Sequence, residues 1–245
     1  MIKQILITRP GPDAKVTAQQ LDQLGFSCFI EPMQVITFNK NFIADIEKIS
    51  SLKNPIFIFT SANAIRTMPD LSNFKNNRVL AVGKKTADEI ILHGYKNVTI
   101  TGQTVTDMLD YINNNFIAGA DNFIYFSGDI ISADIEKILS EKSYNIIRQV
   151  VYQTTPITSL SDHLINKISN NEFFAALFYS PANAKIFTEN LLKYQLSGNM
   201  QKTLAFCISK RTADRLGNIK FRSIHIAQSP TENSLLALIQ NFKLS

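Results

Sequence analysis

The chain has 245 residues, 45% of them hydrophobic, a length that suits one large domain or two of roughly 100 to 150 residues each. No apolar run approaches the ~20 residues that span a bilayer. The net charge of +5 is scattered, with both signs together in "KKTADE" and no Lys/Arg tract interleaved with aromatics, which speaks against a nucleic-acid partner.

Taken in chain order, the opening "MIKQILITRP" is too short for a signal-peptide core and reads as a first strand ending before Arg9 and Pro10. "EPMQVITF", Glu31 to Phe38, is an extended segment. "IFIFT", "VLAV" and "NVTI" follow as short apolar strands, each leading into a polar hinge and a helical pattern. The first of these hinges holds Thr60 and Ser61 in "TSANA". The second, "GKKT", holds Gly83 and Thr86, and its helix runs from Lys84 to an end at Gly94. The third hinge is "TGQT". "FIYF" then leads into "FSGD", with Ser127 and Gly128, and "QVVYQTTP" is a β-branched extended stretch containing Tyr152. "ALFY", "LAFCI" and "IHIA" complete the series. Their hinges are "YSPANA" with Ser180 and Ala182, "SKRT" with Thr212, and "QSPT" with Thr231. The helix from Lys210 ends at Gly217, and Ser229-Pro230-Thr231-Glu232 reads as a capping box with Pro at the first helical position. Nearly continuous apolar strands imply cover on both faces, as in a parallel sheet.

The chain also repeats itself. "FTSANA" matches "FYSPANA", "VGKKTADEI" matches "ISKRTADRL", "ITGQTVTDMLDYI" matches "IAQSPTENSLLALI", and the opening strand–helix block matches Phe123 to Val150. Four blocks occurring twice in the same order indicate a duplication. Strand–helix alternation predicts α/β layers with parallel strands. In such sheets ligands bind beyond the carboxyl ends of the strands, where every polar hinge falls. Helix N–H groups and hydroxyls there favour anions. Ser61, Ser180 or Ser229 alone is explained as a helix cap worth about 1 kcal/mol. Polar hinges at so many matching places point to a shared ligand instead.

The usual catalytic kits are missing: GxGxxG after a strand, GxxxxGK[ST], HExxH and GxSxG. A nucleotide-using enzyme is disfavoured for that reason. Asp88 and Asp129 are assigned to helix first turns or loops, complementing the helix dipole. His93, beside Gly94, and His225, within a strand, suit structural roles. His93, His163 and His225 share no metal-ligand spacing, so no metal site is implied. Cys28 and Cys207 stand far apart, which fits a reducing cytosol without a disulfide framework. What remains is a surface of hydroxyls and amides, suited to positioning a polyanion whose own chemistry is easy. Tyr152 lies at the junction of the two repeat sets, placed either as a half-buried strand residue or as one facing the ligand.

These blocks, in order and spacing through nearly the whole chain, resemble the uroporphyrinogen-III synthase family. The motifs that carry the resemblance are "ILITRP", "FTSANAI", "AVGKKTADEI", "VVYQTTP", "FYSPANA", "RTADRL" and "SPTENSLLALI". It implies two similar α/β domains with parallel sheets flanked by helices, joined by a two-stranded β-ladder, with an active-site cleft between them. Residues 1–35 with 155–245 would form one domain and 36–154 the other, the ladder lying at Met33–Phe38 and Val150–Thr154. The activity implied is that of a cyclising hydro-lyase. It turns hydroxymethylbilane into uroporphyrinogen III with loss of water and inversion of ring D through a spiro intermediate, without metal or organic cofactor. The substrate carries eight carboxylates.

Carried over by position, Tyr152 corresponds to the tyrosine that assists loss of the hydroxyl group. Thr86 is the threonine of the "VGxxT" motif, and Thr212 is its repeat partner. Thr60, Ser61, Gly83, Ser127, Gly128, Ser180, Ala182 and Thr231 occupy turns near the substrate, and Arg9 is a carboxylate partner. The sequence departs from the family at "CISKRTA", where Ser209 takes the place of the turn glycine. The resemblance further implies a cytoplasmic monomer that meets hydroxymethylbilane synthase transiently. A different class of function, a non-catalytic two-domain sensor or binding protein for a polyanionic small molecule, fits the same anion-lined hinges.

Overall fold

The computed structural model describes residues 3–242. In chain order the elements begin with β1 (Gln4–Ile7), α1 (Gly11–Gln23), β2 (Ser27–Ile30) and β3 (Gln34–Phe38). Next come α2 (Ile46–Ser50), β4 (Ile56–Phe59), α3 (Ala62–Thr67), β5 (Arg78–Ala81), α4 (Lys84–Leu92), β6 (Asn97–Ile100) and α5 (Val105–Asn115). The series continues with β7 (Asn122–Gly128), α6 (Ile135–Ser140), β8 (Asn145–Pro156), α7 (Asp162–Ser169) and β9 (Phe173–Phe178). It closes with α8 (Pro181–Lys193), β10 (Leu204–Cys207), α9 (Lys210–Ala213), β11 (Ser223–Ile226) and α10 (Glu232–Gln240).

The chain divides into two compact units. Unit 1 holds the residues up to Val35 and those from Thr155 on, and unit 2 is Ile36–Thr154. Among the described residues unit 1 carries a sheet of order β11-β10-β9-β1-β2, with parallel pairing throughout. The second sheet has the order β3-β8-β7-β4-β5-β6, and its pairs from β8 to β6 are parallel. The two orders match place by place: β2-β1-β9-β10-β11 against β8-β7-β4-β5-β6. The repeated sequence blocks therefore occupy equivalent positions. Each unit takes its opening block from one copy of the repeat and its other three from the other copy, so the chain must cross over twice. The crossings are β3 and β8, neighbours in one sheet. Asn39 N–H donates to Val151 O at 2.9 Å and Ile157 N–H to Met33 O at 2.9 Å, so β3 and β8 run antiparallel. β8 starts well before Val150, because its first half is also the parallel partner of β7.

Strand alternation sends successive side chains to opposite faces, and both faces are covered by helices. In unit 1, Ile5, Ile7, Leu177 and Phe206 pack with Leu21 of α1 and Leu235 and Ile239 of α10. Leu6, Phe178 and Cys207 face Leu164 of α7, Phe187 and Leu191 of α8 and Ala213 of α9. In unit 2, Phe57, Phe59 and Phe126 meet Ile65 of α3 and Ile90 of α4, while Ile58, Leu80 and Phe123 meet Met108 and Ile112 of α5 and Leu139 of α6. Two-sided cover holds for the inner strands, such as β4 and β10, which are buried throughout. It does not hold for β6 ("NVTI") and β11 ("SIHI"), whose residues are intermediate or exposed, because both are sheet edges with one side open to solvent.

Two local readings need correction, and a third gains detail while its end at Gly217 holds. The N-cap of α10 is Thr231, not Ser229, and its hydroxyl accepts from Ser234 N–H at 3.3 Å. Glu232 does not turn back to cap the helix; it is drawn to Arg9 and Thr17. Asp88 lies beyond the first turn of α4 and pairs with Lys84 at 2.8 Å. The helix from Lys210 tightens after Ala213 into a 3-10 turn, Asp214–Leu216, before Gly217.

Phe126 sits at the centre of the unit 2 core, with ring centroids of Phe57 and Phe59 each 5.0 Å away and Phe42 at 5.9 Å. Phe126→Ala should cost about 3–5 kcal/mol through lost burial and an uncollapsed cavity. Urea denaturation followed by circular dichroism checks this, and a loss below about 1 kcal/mol would contradict the packing described.

Candidate active site

The strand order of each unit reverses at one place, between β7 and β4 in unit 2 and between β1 and β9 in unit 1. The carboxyl ends flanking that reversal form the natural crevice of an open parallel sheet. In unit 2 it is built from four side chains. β4 is followed by Thr60 and Ser61, adjacent residues whose side chains each lie by a phenol. Thr60 Oγ1 lies 3.1 Å from the Tyr125 hydroxyl, and the Ser61 side chain lies near enough to the Tyr152 phenol to favour its ionised form. Ser61 also caps α3, accepting from Asn63 N–H at 3.2 Å.

Tyr152 reaches this position through a bulge. Ser127 pairs with Val150 but Gly128 with Tyr152, so Val151 is an extra residue in β8. Asn39 holds the bulge, its backbone N–H donating to Val151 O and its side-chain amide to Val150 O at 2.8 Å. The Tyr152 ring then lies against Gly128. A Cβ at that position would fall 2.5 Å from ring carbons Cε2 and Cζ, so only glycine fits beneath the phenol. Ser127 and Gly128 are the last residues of β7, both buried, and not an open turn. Arg148 braces them. Its Nε donates to Ser127 Oγ at 2.8 Å and its Nη2 to Gly128 O at 2.7 Å and Asp129 O at 3.0 Å. Asp129 serves the backbone, its Oδ1 accepting from Ile130 N–H at 2.9 Å and Thr154 N–H at 3.0 Å.

Burial pushes the Tyr152 phenol above its ordinary value, with the Ser61 side chain pulling back. Burial also raises Tyr125, opposed by Thr60 and by the charge of Arg148. Both are therefore neutral hydrogen-bond donors at physiological pH. At the next strand end, Gly83 precedes α4 with φ +77°, a left-handed conformation that favours glycine, and Thr86 is buried one turn later.

Unit 1 treats its equivalent places differently. Arg9 is already engaged: Nη1 lies 3.0 Å from Glu232 Oε1, Nη2 lies 3.0 Å from Asp13 Oδ2, and the guanidinium stacks 3.9 Å from the Tyr179 ring centroid. Thr17 Oγ1 joins Glu232 at 2.5 Å. Burial pushes Tyr179 up to about 12, with Glu232 adding to it. Arg9 is thus paired with two carboxylates and a ring within the crevice. Ser180 caps α8, accepting from Asn183 N–H at 3.1 Å, with Ala182 exposed in the first turn. Ser209 adopts extended backbone at φ −157° and caps α9. Its hydroxyl lies 3.0 Å from that of Thr212, which is wholly buried. Thr212 thus spends its hydroxyl internally, and Thr231 is an exposed cap.

A family model described as Uroporphyrinogen-III synthase HemD matches residues 15–237. The chain belongs to the uroporphyrinogen-III synthase family. Over 219 residues it is 26% identical to Uroporphyrinogen-III synthase of Chlorobaculum parvum, spanning 82% of this chain and 84% of that protein. Its fold is shared with uroporphyrinogen-III synthetase of Helicobacter pylori at TM-score 0.60 and 17% identity, covering 99% and 100% of the two chains. A mutant Uroporphyrinogen III Synthase of Thermus thermophilus gives TM-score 0.59 at 16% identity, covering 99% and 98%. No helix among the described residues is long and apolar enough to cross a membrane. In this synthase-family chain the structure brings Thr60, Ser61, Ser127, Gly128 and Tyr152 together, and adds Tyr125 and Arg148, which the motifs did not single out. An arginine inside the β-branched run "IIRQVVY" was the available signal.

Two outcomes follow. Gly128→Ala should leave the fold intact by circular dichroism but displace Tyr152, seen as a changed tyrosine absorbance and reduced turnover. Unchanged values for both would contradict the contact. Tyr95, Tyr125, Tyr152 and Tyr179 are all raised above 10, so the folded protein keeps them neutral where an unfolded chain ionises. Their stabilising effect is full below about pH 10 and is lost as pH rises beyond it, so the urea midpoint should fall steeply there.

Proposed function

We propose that this chain cyclises hydroxymethylbilane to uroporphyrinogen III, and that unit 2 carries the chemistry. The observation that supports this most strongly is the placement of two buried phenols beside the hydroxyls that follow β4, Tyr125 at 3.1 Å from Thr60 and Tyr152 next to Ser61. The reaction breaks the C–O bond of the hydroxymethyl group, driven by the adjacent pyrrole nitrogen lone pair. Ring D then attacks through its substituted carbon, and the spiro intermediate rearranges to the inverted macrocycle, with water as the leaving product.

A strong acid is unnecessary, because the electron push comes from the substrate. Tyr152, held neutral by burial, donates a hydrogen bond to the departing oxygen. The helix start at Gly83 and Thr86 is assigned to a carboxylate beside it, the Gly83 N–H itself being held by Gly102 O at 2.8 Å, and Thr60 and Ser61 are assigned to orienting the ring system. Ser180, Ala182 and Thr231 are assigned to carboxylates at unit 1. Binding energy spread over many such contacts selects the folded-back conformation of the bilane.

Freshly generated hydroxymethylbilane should yield isomer III with this protein. Isomer I alone, the product of spontaneous closure, would overturn the proposal in favour of a binding protein. Tyr152→Phe should lower turnover about 10²-fold, the lower range for a single proton-handling group, without changing the melting profile. Thr86→Ala should have a smaller effect. Complete loss in Tyr152→Phe with an intact melting profile would mean that one essential acid, not distributed positioning, performs the step.

A further inference from the structure

Unit 1 raises a problem that its hinge residues do not answer. In its crevice Arg9 is paired with two carboxylates, and the Thr212 hydroxyl is occupied by Ser209, so neither is available to a polyanion. Beside them lies a cavity of about 260 Å³ lined by Pro181, Arg211, Asp214 and Arg215. It sits where α8 and α9 begin, beyond the carboxyl ends of the adjacent strands β9 and β10. Arg211 and Arg215 are four residues apart, both exposed, and both line the same cavity. Among the described residues neither guanidinium is paired with a carboxylate. Asp214, the only acid in the lining, is held by Lys210 at 2.8 Å. Counting Lys210, Arg211 and Arg215 against Asp214, the cluster keeps two positive charges. The thirteen-residue helix α8 adds the positive end of its dipole at Pro181. Guanidinium forks suit carboxylates through paired hydrogen bonds, and a cavity with this charge, whose lining carboxylate is already held by Lys210, suits one.

We propose that the Arg211–Arg215 cavity is a further carboxylate subsite of unit 1, distinct from the hinge positions Ser180, Ala182 and Thr231 and holding one of the carboxylate arms of the linear tetrapyrrole. This rests on the function proposed above. It assigns the two arginines to grip and orientation, remote from bond breaking, so their loss should appear in KM and not in kcat.

The test compares wild type, the double variant Arg211→Gln with Arg215→Gln, and a charge-matched control, Lys185→Gln with Lys202→Gln, whose lysines are exposed on the same unit. Isomer III formation is followed against hydroxymethylbilane concentration, and benzenehexacarboxylate binding is measured by calorimetry on the same samples. The arginine variant should raise KM and weaken probe binding by about tenfold or more, with kcat within about twofold. The control should stay within about twofold in all three. Restored charge in Arg211→Lys with Arg215→Lys should recover part of the affinity, and it keeps the test usable if the glutamine variant folds poorly. Equal KM and equal probe affinity in wild type and the arginine variant would overturn the subsite. So would a control that loses as much as the arginine variant, since bulk charge would then explain the effect. If wild type makes only isomer I, the functional reading fails, and the calorimetry alone still decides whether the cavity takes carboxylates.

Discussion

The missing side chain of Gly128 is the constraint on which the unit 2 site depends. With any Cβ there, the Tyr152 ring could not lie across the end of β7, and the phenol would lose its place beside Ser61. The bulge at Val151 and the Asn39 bonds that hold it turn the ring inward. Arg148 fixes the strand end beneath it from the other side. Thr60 and Ser61, consecutive in sequence, can then meet two different phenols. Each link is modest alone, and together they set the position of one hydroxyl group.

Duplication supplied two such crevices, and the two have diverged. In unit 2 the crevice is furnished with hydroxyls, and its charged Arg148 braces the end of β7 through Ser127 and Gly128. In unit 1 a guanidinium, two carboxylates and a stacked tyrosine occupy the same topological place. Charges this well paired cost much to pull apart, since removing one partner strands the others with little solvent around them. Unit 1 thus contributes a rigid frame at its crevice and, through Arg211 and Arg215, a cationic edge beside it. The substitution of Ser209 for the turn glycine belongs to the same divergence: α4 begins with a left-handed glycine, while α9 begins with a hydroxyl cap.

Much of this was legible in the residues. Short apolar runs marked the inner strands because burial on both faces leaves no room for polar alternation. The repeats marked equivalent places in two sheets, and the caps at Ser61 and Ser180 followed from their position before a helical pattern. The edges were misread because β6 and β11 share the apolar residues of inner strands while lacking a neighbour on one side. β2, also an edge, had too mixed a pattern to stand out. What stayed hidden depends on distant pairings. Arg9 meets Glu232 across 223 residues, a pairing that engages an expected substrate ligand and draws Glu232 away from the α10 cap, which is Thr231. The Gly128–Tyr152 contact needed the bulge, which no local motif announces.

In the proposed mechanism a ligand meets the tyrosines of the unit 2 crevice while the unit 1 crevice stays closed around Arg9. Carbon-13 labelling of the tyrosine ring positions, with signals assigned by Tyr152→Phe and Tyr179→Phe, reports on both crevices in one NMR titration with uroporphyrinogen III under anaerobic conditions. The account predicts that the Tyr152 signal shifts in proportion to bound ligand and that the Tyr179 signal stays in place. A shift at Tyr179 with Tyr152 unmoved would contradict it.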